Sequence, residues 1–235
     1  MTTQGVRLRV AGTGDTLEVA GTLIIAGYTG SDVGQVRAHI EELAAIGVAP
    51  PPEVPMVYPV DWSLLTTGPS ISVAGSGTSG EVEPVFVRHH GTWYLGVGSD
   101  HTDRELERES VHASKKACPK PMSAVVIRLD ADPAAGGFDA TWNAIGLTSA
   151  VDGIDYQRGS LAAIRAPGDL LPNVLKDAGP DEDLVVFCGT VPLIDGQFRP
   201  GRQFDCRLSV PGSDPVDLSY ETRPTVSAAS AAPAD

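Results

Sequence analysis

The chain has 235 residues, 42% of them hydrophobic, with 17 basic residues against 30 acidic ones and a formal net charge of −13. That is enough apolar material for the core of one β-rich domain, and the acidic balance without a dense basic cluster excludes a nucleic-acid backbone as partner. No apolar run is long enough to cross a bilayer, the first residues hold no signal-like apolar segment, and Cys118, Cys188 and Cys206 lack metal-site spacing, so the expectation is a cytoplasmic protein with no membrane partner.

Val6–Val10 and Thr16–Val19 alternate around Gly12-Thr-Gly-Asp15 and predict an N-terminal hairpin. Thr22–Ala26 is a continuous apolar run, hence a buried strand, and it ends in the turn Gly27-Tyr-Thr-Gly30. Ser31 or Asp32 then caps a helix reaching about Ile46, with Val33, Val36, Ile40, Leu43 and Ala44 as its apolar stripe. Gly47 and Pro50-Pro-Pro52 end it. His39 and Glu42, at i and i+3, are neighbours at the edge of that stripe. Residues 55–75 read as short strands and turns.

The stretch Ser79-Gly-Glu-Val-Glu-Pro-Val85 carries the strongest chemical signal. Residues two apart on a strand project from one face, so Glu81 and Glu83 point the same way. Like charges side by side in a partly buried place repel, and a hard divalent cation resolves the conflict. Asp100 follows across the hairpin formed by Glu83–Arg88 and Trp93–Val97 and can supply a third oxygen. An all-carboxylate set of Glu81, Glu83 and Asp100 favours Mg²⁺ or Mn²⁺ over Zn²⁺. His89 and His90, in the loop of that hairpin, read as solvated.

Thr102–Ser110 predicts a short helix with a wet face, and Cys118-Pro-Lys-Pro121 a loop. Ser123–Leu129 and Trp142–Ser149 read as strands, Leu161–Ile164 and Asp169–Leu175 as helical, Asp183–Cys188 as a strand running into Gly189-Thr190, and Phe204–Val210 as a late strand. Residues 222–235 have the composition of a disordered tail. The expectation is therefore an α+β, mainly β fold in a single domain over residues 1–221, with the hairpin 1–20 appended.

Five segments in this order resemble a divergent branch of the fumarylacetoacetate hydrolase superfamily. They are His39-Ile-Glu-Glu42; Glu81-Val-Glu83; Asp100-His-Thr-Asp-Arg-Glu105; Ser114-Lys-Lys-Ala-Cys-Pro119; and Glu182-Asp-Leu-Val-Val-Phe-Cys-Gly-Thr-Val-Pro192. The departures are Glu105 in place of the family's last Asp, a compressed Lys-to-Cys spacing that makes Lys115 and Lys116 compete for one role, and a displaced proline after Thr190. The resemblance implies a mixed, rolled β-structure with few helices, a homodimer, and a small oxo acid as substrate. It assigns the metal to Glu81, Glu83 and Asp100, catalysis to His39, Glu42 and Lys115, and substrate binding to Arg104, Lys116, Gly189 and Thr190.

With Mg²⁺ (or Mn²⁺) on the three carboxylates, a chelated 2-oxo carboxylate becomes an electron sink and the enolate left by C–C cleavage is stabilised. His39, oriented by Glu42, is placed by the motif as general base on water. Lys115 would stabilise an oxyanion, while Thr190 and the Gly189 backbone would hold the substrate carboxylate. The leading expectation is a metal-dependent hydrolase of a small oxo or diketo acid. A dehydratase, decarboxylase or isomerase on the same metal site is the alternative, and a non-enzymatic metal- or ligand-binding protein is the alternative of another class.

Overall fold

The computed structural model describes residues 5–45, 49–179 and 181–225, except for the side chains of His39, Leu43 and Asp177. In chain order the elements are β1 (Val6–Val10), β2 (Thr16–Val19), β3 (Thr22–Gly27), α1 (Val33–Ala45), β4 (Met56–Val60), β5 (Leu65–Thr66), β6 (Ser70–Val73), β7 (Thr78–Ser79), β8 (Val82–His89) and β9 (Thr92–Ser99). There follow β10 (Thr102–Asp103), α2 (Arg104–Glu109), α3 (Val111–Ala117), β11 (Lys120–Pro121), β12 (Val125–Arg128), α4 (Asp139–Trp142), β13 (Gly146–Val151), β14 (Ile154–Ser160), α5 (Pro167–Val174), β15 (Leu184–Phe187), β16 (Gln203–Ser209) and β17 (Val216–Pro224). The architecture is mainly strand with few and short helices, as the composition of the segments predicts.

An eight-stranded mixed sheet runs β2-β1-β12-β9-β8-β15-β3-β4, and a five-stranded sheet runs β14-β13-β16-β17-β6. β8 and β15 are buried on both faces, which is why Val-Glu-Pro-Val-Phe-Val-Arg and Leu-Val-Val-Phe read as near-continuous apolar runs. Their alternate side chains feed two cores. Val82, Phe86, Leu184 and Val186 join the core shared with the five-stranded sheet, where Trp142 stacks on Phe86 at 5.6 Å between ring centres. Val85, Val87, Val185 and Phe187 face the second core, under Tyr58 and Trp62. The N-terminal hairpin is part of the main sheet, since β1 pairs in parallel with β12.

Four expectations are corrected. The helix expected at 102–110 is shorter, since Thr102–Asp103 is strand and α2 ends at Glu109, and a second helix follows because Ser110 both ends α2 and caps α3, its hydroxyl accepting the Ala113 N–H at 3.2 Å. Trp142 ends α4, and the strand starts only at Gly146. β17 was missed, and it extends through Thr222 to Pro224, so the chain remains paired beyond the expected start of the tail; residues 226–235 of that tail lie outside the described residues. Finally, α1 exists but buries little: Val33 is 56% exposed, Ala44 is exposed, and Val36 and Ile40 are half-buried. Leu43 and residues 46–48 lie outside the described residues.

Candidate active site

Strand direction gathers the site. β15 runs parallel to β3 and antiparallel to β8, and β9 runs antiparallel to β8. The C-terminal ends of β3, β15 and β9 therefore share one end of the sheet with the N-terminal end of β8. Glu81 and Glu83, Asp100, Gly189 and the turn after β3 all lie there. Phe187 pairs with Val85, which sets Gly189 beside Glu83, and the Gly189 N–H donates to Glu83 Oε2 at 2.8 Å. Gly189 has φ +98°, and a Cβ there would lie 1.8 Å from Thr29 Oγ1, so the turn requires glycine. Opposite Glu83 stands Gly98, where a Cβ would strike Phe187 and Val85.

Glu83 is almost fully buried, on the same face of β8 as Val85 and Val87. Burial first, and then the charge of Asp100, push its carboxyl well above the ordinary range, against the opposing pull of Lys115 and the Gly189 N–H. Asp100 is fully buried, and its N–H donates to the Glu81 carbonyl at 2.9 Å. Burial also pushes Asp100 up, but the ammonium groups of Lys115 and Lys120 outweigh it and hold the carboxyl well below its usual value. Lys115, delivered by α3, donates to Asp100 Oδ2, while Lys120 Nζ lies 2.9 Å from Oδ1. The Lys120 ammonium also donates to the His101 carbonyl, at 2.6 Å, so it is shared between that oxygen and Asp100 Oδ1. Burial disfavours a charged Lys115, yet Asp100, Glu81 and Glu83 together raise its pKa, so the ammonium is the counter-ion among all three carboxylates.

Around this centre the other polar groups are already engaged. Arg104 reaches Glu81 at 3.0 Å, Glu107 at 2.8 Å and Ser79 Oγ at 2.7 Å, and its guanidinium lies 3.5 Å over the Phe198 ring. Thr190 Oγ1 donates to the Val82 carbonyl at 2.7 Å and accepts from Gln157 Nε2 at 2.7 Å. Behind Asp100, the buried His101 ring bridges Tyr220 and Thr78 at 2.9 Å each, which ties the site to the five-stranded sheet. Burial and then Lys120 lower its pKa to about 3, so this imidazole stays neutral. A cavity of about 250 Å³ opens over the centre, with Tyr28, Tyr58, Glu81, Glu83, Arg104 and Lys115 in its wall.

Of the residues expected from sequence, Glu81, Glu83, Arg104, Lys115, Gly189 and Thr190 line this cavity, and Asp100 sits beneath it. In this arrangement the Gly189 N–H donates to Glu83 and the Thr190 hydroxyl to the Val82 carbonyl, contacts that anchor the start of β8. Lys116 is exposed and is not among the residues lining the cavity. Glu42 is exposed on α1 and is not in the cavity wall, and the His39 side chain lies outside the described residues. Sequence reading missed Lys120, although a lysine held between Pro119 and Pro121 has a backbone fixed in extended form, which is a readable signal. It also missed the two tyrosines and Phe198.

The donor set suits a hard divalent cation. Every candidate ligand is a carboxylate oxygen, Asp100 Oδ1 is met by the Lys120 ammonium at 2.9 Å where a cation could substitute for it, and the Glu83 charge is opposed by burial and by Asp100. Loading a cation would draw Glu81 from Arg104 and compete with the two lysines for Asp100. Among the described residues, the group whose ligand atoms already lie within 4.8 Å of one another is His89, His90 and Asp183, at the opposite end of the β8–β9 hairpin. There His89 Nδ1 is 2.7 Å from Asp183 Oδ2, so His89 is a half-buried, paired residue and not a solvated one.

The fold is that of the fumarylacetoacetate hydrolase superfamily. A 5-carboxymethyl-2-hydroxymuconate delta-isomerase from Mycobacterium smegmatis is similar with 18% identity and a TM-score of 0.60, over 92% of this chain and 87% of that one. A yeast protein of the fumarylacetoacetate hydrolase family gives 15% identity and a TM-score of 0.58 over 86% and 93% of the two chains. A 2-keto-3-deoxyarabinonate dehydratase gives 15% and 0.57 over 89% and 75%. The chain belongs to the family described as protein of unknown function DUF2848, whose model matches residues 26–220. No curated protein matches it by sequence. No described helix is long and apolar enough to cross a membrane.

Proposed function

We propose that this chain is an enzyme acting on a small oxo acid, and more narrowly a divalent-metal-dependent hydrolase that breaks a C–C bond in a diketo acid. The observation that carries this reading is the meeting of buried Glu83 and Lys115 in the wall of one cavity of about 250 Å³, with the buried Asp100 paired to Lys115. Buried charges pressed together at a cleft are the mark of a functional site, and the volume suits a small metabolite. The proteins of like fold bear the names of an isomerase, a hydrolase family and a keto-acid dehydratase, which supports the substrate class and leaves the bond broken to experiment.

A divalent cation on Glu81, Glu83 and Asp100 would supply Lewis-acid stabilisation of negative charge on a 2-oxo carboxylate. Lys115 donates to the oxyanion from a site where its charge is held on by three carboxylates. In hydrolysis, water adds to C4 of a 2,4-dioxo acid and the C3–C4 bond breaks, its electron pair passing into the C2–C3 enolate. The water oxygen ends in the new carboxylate, one proton ends on C3 and another goes to solvent. The motif His39-x-x-Glu42 carries the base role. A second reading, an isomerase, dehydratase or decarboxylase that needs no attacking water, is favoured by the exposure of Glu42 away from the cavity wall.

Two measurements separate these. Turnover in ¹⁸O water should label the new carboxylate if hydrolysis is right, and a full yield of unlabelled product sinks that reading. Lys115→Met should lower kcat about a hundredfold or more, the scale of one lost oxyanion donor, while Lys116→Met leaves it within twofold. Equal behaviour of the two variants would remove Lys115 from the chemistry.

A further inference from the structure

Resting on the oxo-acid reading above, we infer that the substrate carries a single carboxylate and an uncharged tail, and that the site rejects acids with a second carboxylate at the far end. Among the described residues, the cations in the cavity wall are Lys115 and Arg104. Lys115 is held by Asp100 amid the carboxylates, at the end where the reacting 2-oxo acid must lie. Arg104 is the group that could receive a distal carboxylate, and it is already engaged: Ser79 and Glu107 hold its Nε and Nη1, Glu81 pairs with Nη2 in the metal-free protein, and Phe198 covers its face. A second carboxylate reaching Arg104 would lie beside Glu107, a like charge in the same wall that already holds this guanidinium.

The rest of the wall recognises a neutral group. Tyr28, Tyr58, Val111 and Phe198 line it. Among the described residues, neither tyrosine hydroxyl has a hydrogen-bond partner within the chain, although Tyr58 is buried. Burial raises the pKa of both phenols, that of Tyr58 to about 12, so both remain donors across the physiological range. Phe198 is 45% exposed at the mouth, an apolar surface that a bound tail would cover. Two neutral hydroxyls among apolar side chains match a short alkyl, acyl or hydroxylated tail.

The test uses 2-oxohexanoate and 2-oxohexanedioate, equal in chain length and different only in the terminal carboxylate. Neither has a 4-oxo group, so neither can undergo the C–C hydrolysis. Calorimetric titration of the Mg²⁺-supplemented protein should show 2-oxohexanoate binding at least tenfold more tightly. The matching turnover pair, 2,4-dioxohexanoate and 2,4-dioxohexanedioate, should favour the first by a similar factor in kcat/KM. Glu107→Gln removes the like charge and loosens Arg104, and should raise dioate affinity about tenfold relative to the monoacid, narrowing the preference. A preference for the dioates in the wild type overturns this inference and leaves the oxo-acid reading standing. Failure of all four acids to bind or react overturns both.

Discussion

Glu83→Gln is expected to raise the melting temperature of the metal-free protein while abolishing turnover and the response to Mg²⁺. In the metal-free state Glu83 is a buried carboxylate beside Asp100, and among the described residues its hydrogen bond comes from the Gly189 N–H to Oε2. Glutamine keeps that bond through its carbonyl oxygen and removes the charge. Relief of functional strain of this kind yields about 0.5–2 kcal/mol. The sign against pH follows from the raised folded pKa. Below the unfolded value of about 4.3 the wild-type carboxyl is protonated in both states, and the variant gains nothing. As pH rises above that value the unfolded state ionises more readily, so the advantage of the variant grows toward neutrality. Millimolar Mg²⁺ should reverse the order, since a cation at a hundred times its Kd stabilises the wild type by about 2.7 kcal/mol and has lost a ligand in the variant. A metal-free variant less stable than wild type at pH 7.5, or an equal Mg²⁺ shift in both, would count against the carboxylate centre.

How far the sequence discloses this site depends on whether a feature is local. The Glu81/Glu83 pair is legible because period-two projection is a property of one strand, and the run from Thr22 to Ala26 betrays a buried strand for the same reason. The crowding of Asp100 by two lysines is not local. It requires α3 to fold back over the end of β9 and β11 to pair with β5, and neither the Ser110 junction nor a two-residue strand leaves a periodic signal. Occupancy is likewise invisible. Gly189 and Thr190 sit where the motif puts them, but only the register of β15 on β8 reveals that their donors are spent on Glu83 and Val82. α1 shows the converse: its apolar stripe has helical spacing, yet Val33 and Ala44 are exposed, because periodicity fixes a face without naming what covers it. β17 was missed because Val216–Pro224 alternates among charged and hydroxylated residues whose inward partners lie on β16 and β6.

Asp100→Asn should do the opposite of Glu83→Gln, although both remove one carboxylate charge from the same proposed centre. Asp100 is the partner that neutralises Lys115 and Lys120, and both ammonium groups are buried with it. Asparagine leaves two buried cations facing a neutral amide, and its NH₂ group can turn a donor toward one of them. Breaking a buried pair from one side costs about 3–5 kcal/mol, because the remaining charge stays desolvated. At roughly 2–4 °C per kcal/mol for a chain of this size, the melting temperature should fall by about 6–20 °C. The Asp100 pKa is lowered on folding, so its contribution is fully present above the unfolded value of about 3.9 and is lost as pH falls below it. The gap between wild type and variant should therefore hold constant from pH 5 to 8 and narrow only in stronger acid. Adding Lys120→Met to Asp100→Asn should recover part of the loss, since an apolar chain of similar length tolerates burial better than an unpaired ammonium. An Asp100→Asn protein as stable as wild type at pH 7, with no recovery in the double variant, would show that the lysines do not depend on this carboxylate.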